Sequence, residues 1–275
     1  MKRRWTVAVT GVLAVTVALT ATACGGGDEN ATAKEATGFV ALGDSYAAGL
    51  GAGNYGDRKD CKQSKDGGYP QLWLKLRTAA KFGVVTDATC AGAKINDVRF
   101  KQLGKLDDST GWVTLTVGGN DAGWSGTLQQ CLLGSDETCK ASVDKAVAAA
   151  ESTLPGALDE LYQMIREQAP NAKVFVLGYP HLVAEPGAGV TCEALNDTRR
   201  KSLNEGADSL VELIQGRVAA QPGFTFVDVR KSFAGHEACT KEPWIHSLRD
   251  DLSESFHPTA EGHKAYADAL FAVTG

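Results

Sequence analysis

Methionine is nearly absent, two residues in 275, and positive charge falls short of negative, 28 Lys and Arg against 33 Asp and Glu. So few methionines beside 31 glycines favour a loop-rich α/β protein over a helical bundle. The acidic balance, with no basic stripe, excludes a nucleic-acid surface. There is no Cys-x-x-Cys pair, and no spacing of His with Asp or Glu matches a metal site, so no metal or cofactor is expected. No internal repeat is visible. With 43% hydrophobic and 22% charged residues, the composition suits one large globular domain.

The amino terminus departs from this composition. Lys2, Arg3 and Arg4 precede an uncharged stretch from Val7 to Ala23, so residues 1–23 read as a signal peptide. The stretch is short for a stable membrane span, which needs ~20 predominantly apolar residues. It ends in "TATAC", small residues running into Cys24 as in a bacterial lipobox, with Ala21 where leucine is more usual. Lipidation of Cys24 would make the protein a cell-surface lipoprotein; cleavage at an Ala-x-Ala-like site would release it. Residues 24–37 read as a flexible tether and 38–275 as the folded domain. Without the three leader cations, 25 basic residues face 33 acidic ones, a net charge of about −8.

Beyond Cys24 stand six cysteines, an even set that in an exported chain reads as disulfides. Six permit fifteen pairings. The simplest joins neighbours: Cys61–Cys90, Cys131–Cys139 and Cys192–Cys239.

Five short apolar runs are strand candidates: 38–42, 83–88, 112–117, 173–178 and 224–229. Helical patterns lie between or after them at 69–80, 141–168 with a break expected near Pro155, 195–219 and 259–272. This alternation predicts a parallel sheet covered on both faces, whose site forms beyond the carboxyl ends of its strands.

Residue types suited to nucleophilic catalysis follow those strands. Gly43-Asp44-Ser45 ends the first, Gly92 follows the second, "GGNDAGW" with Asn120 follows the third, and His257 precedes the last helix. A serine hydroxyl attacks only when a base takes its proton, and histidine is the usual base near neutral pH. The tetrahedral intermediate then needs donors aimed at its oxyanion. The N–H groups of Ser45 and Gly92 and the Asn120 amide would supply three. Each signal alone fits an ordinary turn or helix cap; their combination and order are what point to chemistry.

That ordered set resembles the SGNH hydrolase superfamily, the GDSL esterases and lipases, and more narrowly the secreted actinobacterial GDSL lipases. "GGNDAG", "APNAKVFVLGYP", "GFTFVDVR", "PWIHS" and "ESFHPTAEGH" carry the likeness from Gly38 to the carboxyl terminus. The resemblance implies a three-layer α/β/α sandwich with a flavodoxin-like, five-stranded parallel sheet, and a fit of the six cysteines to three disulfides. It implies Ser45 as nucleophile, His257 as base, and Ser45, Gly92 and Asn120 around the oxyanion. The superfamily's Asp three residues before the histidine is here Glu254. Either Glu254 or the main-chain carbonyl of Ser255 is left to orient His257, and the carbonyl is the favoured reading.

The other polar residues receive structural expectations. Asp44 and Asp121 support their turns, His236 and His246 are structural, and His263 lies off the catalytic face; His181 either flanks the cleft or sits on the surface. The sequons at Asn30 and Asn196 carry little weight. The resulting expectation is an exported, monomeric serine esterase or lipase acting on acyl esters. A carbohydrate O-deacetylase and a surface lipoprotein that only binds a ligand are the alternatives.

Overall fold

The structure, a computed structural model, describes residues 36–275 except 58, 59, 79, 80 and 193. The expected signal peptide, Cys24, Asn30 and nearly all of the expected tether lie outside these residues. Five strands form one parallel sheet: β1 (Gly38–Gly43), β2 (Val85–Asp87), β3 (Thr110–Thr116), β4 (Lys173–Leu177) and β5 (Phe224–Val227), in the order β2-β1-β3-β4-β5. The expected strands are present, with β2 shorter than its 83–88 pattern because it forms an exposed edge.

Around the sheet run α1 (Ser45–Ala48), a single turn, α2 (Tyr69–Leu76), α3 (Trp124–Leu133), α4 (Asp136–Gln168), α5 (Asp197–Ala219) and α6 (Ala260–Thr274). Register sorts the faces. Phe39 pairs with Trp112, and Trp73 of α2 packs on both rings, at 5.3 and 5.7 Å between centroids. The Trp73 indole donates to Thr274 of α6, placing α2 and α6 on that face. One residue along each strand the side chains reverse; Val174 pairs with Phe224, whose ring meets Tyr162 of α4 at 5.1 Å. On that second face Arg217 of α5 is paired with Asp159 of α4.

Side-chain caps start the longer helices where the sequence signals them: Ser135 accepts from Thr138 N, Asn196 from Arg199 N and Thr259 from Gly262 N. Two expectations need correction. Helix α3 carries Gly126 and a weak apolar pattern, so it was not marked in the sequence; the Cys131–Cys139 disulfide ties it to α4. The expected break at Pro155 does not occur, and α4 runs unbroken for 33 residues. A mid-helix proline costs about 3 kcal/mol relative to alanine. The flanking Leu154, Leu158, Leu161 and Ile165 are almost wholly buried, each contributing about 1.5–3 kcal/mol, so packing outweighs the missing hydrogen bond.

Pro155→Ala therefore raises unfolding stability by about 1–3 kcal/mol, reduced from the full penalty by the greater freedom of the unfolded chain. Urea unfolding measures it, and a destabilised variant contradicts this account of α4.

Candidate active site

The strand order leaves a crevice between β1 and β3, where the chain turns to opposite sides of the sheet. Both segments bordering it are pinned. Gly43 sits at φ +130°, and a Cβ there would lie 2.3 Å from the Thr116 carbonyl. The buried Gln102 amide bonds Gly43 on both sides, accepting from its N–H at 2.8 Å and donating to its carbonyl at 2.9 Å. The chain then turns sharply at Asp44, whose Oδ1 caps Tyr46 N at 3.0 Å, and presents Ser45 at the start of α1.

Ser45 Oγ lies 2.8 Å from His257 Nε2. His257 Nδ1 lies 3.1 Å from the Ser255 carbonyl, which only accepts, so Nδ1 carries the proton and Nε2 offers its lone pair to the hydroxyl. The Glu254 carboxylate is turned away and accepts from the Tyr55 hydroxyl at 2.5 Å. Of the two candidates for orienting the ring, the backbone carbonyl is thus the one within bonding distance.

Neighbouring residues hold this pair. Tyr46, next to Ser45, donates its hydroxyl to the Phe256 carbonyl at 2.7 Å, next to His257, and its ring packs 5.2 Å from the imidazole. Phe256 adopts φ +59°, an uncommon conformation for a bulky residue, fixed by its N–H to the His246 carbonyl. His246 and His263 donate to the Gly51 and Leu50 carbonyls just beyond α1, which makes both structural.

The remaining predicted donors come from two knitted loops. Asn120 Nδ2 donates to the Ala93 carbonyl at 3.1 Å, leaving its second N–H for another acceptor, and Asp121 accepts from Ile95 N. The Cys61–Cys90 disulfide and the Cys90 N–H to the Gly43 carbonyl, 3.0 Å, hold the Gly92 loop against β1. Gly92 itself is exposed at φ +78° with open space where a Cβ would stand, so its backbone conformation is what requires glycine. Among the described residues, neither the Ser45 N–H nor the Gly92 N–H has a protein acceptor. Two further disulfides join Cys131–Cys139 and Cys192–Cys239.

A cavity of about 480 Å³ opens beside Ser45 and His257, walled mainly by Trp124, Leu128, Leu132, Leu182, Leu210, Leu248 and Leu252. His181 does not line it; its ring lies between Glu185 and Asp208. His236 stacks on Trp244, and Asn196 is occupied as a cap. Among the described residues no group of three or more His, Cys, Asp or Glu could hold a metal ion.

Residues 41–265 match the GDSL-like Lipase/Acylhydrolase family. The chain belongs to that family. Lipase 1 of Streptomyces coelicolor is 43% identical over 253 residues, covering 91% of this chain and 90% of the relative. The crystal structure of an extracellular lipase from Streptomyces rimosus is 40% identical, with a TM-score of 0.80, over 86% of this chain and 99% of that one. A phospholipase A1 structure from Streptomyces albidoflavus is 41% identical with the same coverage and TM-score. This GDSL hydrolase is accordingly a carboxylic-ester hydrolase.

Sequence reading missed several residues that shape the hydrolase's site. The Tyr179 hydroxyl donates to Asp44 Oδ2 at 2.6 Å and accepts from Gly119 N at 3.1 Å. Nothing in the spacing of Tyr179, Gln102 or Trp124 marked them; only Tyr46 had a signal, its place beside Ser45. Burial raises the Asp44 carboxyl to about 7, while the bonds from Tyr179 and Tyr46 pull the other way. Burial lowers His257 to about 4, against the opposing pull of the Ser255 carbonyl, so the imidazole is neutral at neutral pH, as a base must be.

The pH dependence follows in sign. A histidine depressed in the folded state takes up its proton only below its ordinary value of about 6.5. The acid limb of kcat/KM for a neutral ester is therefore expected well below 6.5, towards 4. A limb at the ordinary histidine value contradicts it. For stability, the unfolded histidine binds the proton first between about 6.5 and 4, so His257 weakens folding as pH falls through that window.

Proposed function

We propose that this protein is an exported lipase-type serine hydrolase that cleaves acyl esters of medium or long chain through Ser45 and His257. The observation that carries the reading is the 2.8 Å Ser45–His257 contact at the edge of a largely apolar cavity walled mainly by Trp124 and leucines. An acyl chain buried there gains about 0.8 kcal/mol per methylene. A site serving only acetyl groups on sugars has no use for such a wall, and a pure binding site has no use for a serine–histidine contact.

In the proposed reaction, His257 Nε2 takes the Ser45 proton as Oγ attacks the acyl carbon. The oxyanion accepts from Ser45 N–H, Gly92 N–H and the second N–H of Asn120. Collapse of the intermediate breaks the bond to the alcohol, which leaves with the proton from His257. Water, deprotonated by the same imidazole, then attacks the acyl carbon; the second intermediate breaks its bond to Ser45 Oγ, which takes the proton back from His257 as the acid leaves. The Ser255 carbonyl holds the ring's orientation without adding a full negative charge, and Glu254 has no part in the chemistry.

Export is supported by the leader and by the likeness to an extracellular lipase. We assign residues 1–23 as the signal peptide, Cys24 as a lipid anchor, 24–37 as the tether and 38–275 as the catalytic domain, acting as a monomer. The phospholipase A1 likeness brings phospholipids into the substrate range to be assayed.

The test is initial rates on p-nitrophenyl esters from acetyl to palmitoyl and on a phospholipid, for cell and medium fractions. Wild type should prefer medium or long chains. Ser45→Ala and His257→Ala should lose at least about a thousandfold, while Glu254→Ala stays within about tenfold. Activity should move from cells to medium in Cys24→Ala. Acetyl-only activity favours the deacetylase, and no activity above the Ser45→Ala background favours a binding protein.

A further inference from the structure

Trp124 lines both the catalytic cavity and a second, smaller space. Its indole, with Leu210 of α5, lines that cavity on one side. The same two residues line a void of about 10 Å³ on the other, closed by Ala122, Ala146, Ala150 and Leu213 between α4 and α5. Beyond the void, at Val147, Glu151, Gly206 and Ser209, a surface groove of about 240 Å³ begins. A catalytic cavity, a small gap and a groove thus adjoin in turn, with Trp124 and Leu210 shared between the first two.

The indole fits there because α5 carries glycine opposite it. Gly206 is buried, and a Cβ at that position would stand 2.7 Å from Trp124 Cη2 and 2.7 Å from Val143 Cγ1. Gly206 lies mid-helix without a positive φ, so its backbone alone does not call for glycine, and helix propensity disfavours it. The space it leaves to the indole accounts for its presence.

We propose that Trp124, seated against Gly206, is the end-stop that sets the longest acyl chain the hydrolase accepts, and that a latent apolar extension of the acyl site lies behind it between α4 and α5. The inference rests on the lipase reading. Removing the indole joins the void to the cavity and gives further methylenes an apolar lining. Adding a methyl at Gly206 pushes the indole towards the cavity and shortens it.

The experiment compares Trp124→Ala and Gly206→Ala with wild type on p-nitrophenyl octanoate and palmitate in one detergent micelle. It reads the ratio of kcat/KM for palmitoyl over octanoyl within each protein, so that general changes in rate divide out. One buried methylene is a factor of roughly four. Trp124→Ala should raise the ratio by about fifteenfold, for two newly buried methylenes, and Gly206→Ala should lower it by about fourfold. Trp124→Phe, the milder truncation, should move it in the same direction as Trp124→Ala and serves if the alanine variant does not fold. Ratios within about twofold of wild type, or a shift in the same direction for the two positions, overturn the inference. An active wild type with such indifferent variants sinks this inference alone; a wild type inactive on every ester sinks the lipase reading and this inference together.

Discussion

A carboxyl group with 1% of its surface exposed is the hinge of this site. Asp44 holds the nucleophile's turn through Tyr46 N and holds Tyr179 through its other oxygen. Burying such a group is costly unless its oxygens are bonded, so the two bonds and the packing around them form a unit. Tyr179 passes the constraint to Gly119, next to Asn120, and Tyr46 passes it to Phe256, next to His257. Ser45, Asn120 and His257, to which we assign the roles of nucleophile, oxyanion donor and base, thus come from three separate loops tied to one buried carboxyl and two tyrosines.

In the proposed reaction this arrangement stands in for a carboxylate beside the histidine. An Asp or Glu in that position would both orient the ring and stabilise its charged form. Here orientation comes from the Ser255 carbonyl, from the left-handed backbone at Phe256 and from the Tyr46 ring packed against the imidazole. Stabilisation of charge is left to the oxyanion donors, of which a single one is typically worth about 2.7–4 kcal/mol. The Cys61–Cys90 disulfide holds the Gly92 loop, and with it the N–H we assign to the oxyanion, against β1.

The residues that the structure brings together were largely legible, because nucleophilic catalysis restricts residue types and the open α/β sheet restricts where they stand. Ser45 and Asn120 follow β1 and β3, the two strands that border the crevice, and His257 precedes a helix with a clear threonine cap. What supports them was not legible, since Tyr179 lies 135 positions from Asp44 and Gln102 lies 59 from Gly43. Local pattern carries no trace of such pairings. Glu254 shows the same limit: a partner 199 positions away, Tyr55, decides which way its side chain turns. The helix through Pro155 shows it in the fold, where four buried side chains override a local breaker. Trp124 was invisible as a cavity wall because that role exists only once α5 presents Gly206 to it.

The most direct test of the central claim is covalent trapping with a p-nitrophenyl alkylphosphonate, located by peptide mass spectrometry. An activated serine displaces p-nitrophenolate and keeps the phosphonyl group. The account predicts one adduct per chain, on Ser45, forming at least about a hundredfold more slowly in His257→Ala. An adduct on another residue, or Ser45 labelling indifferent to His257, would contradict it.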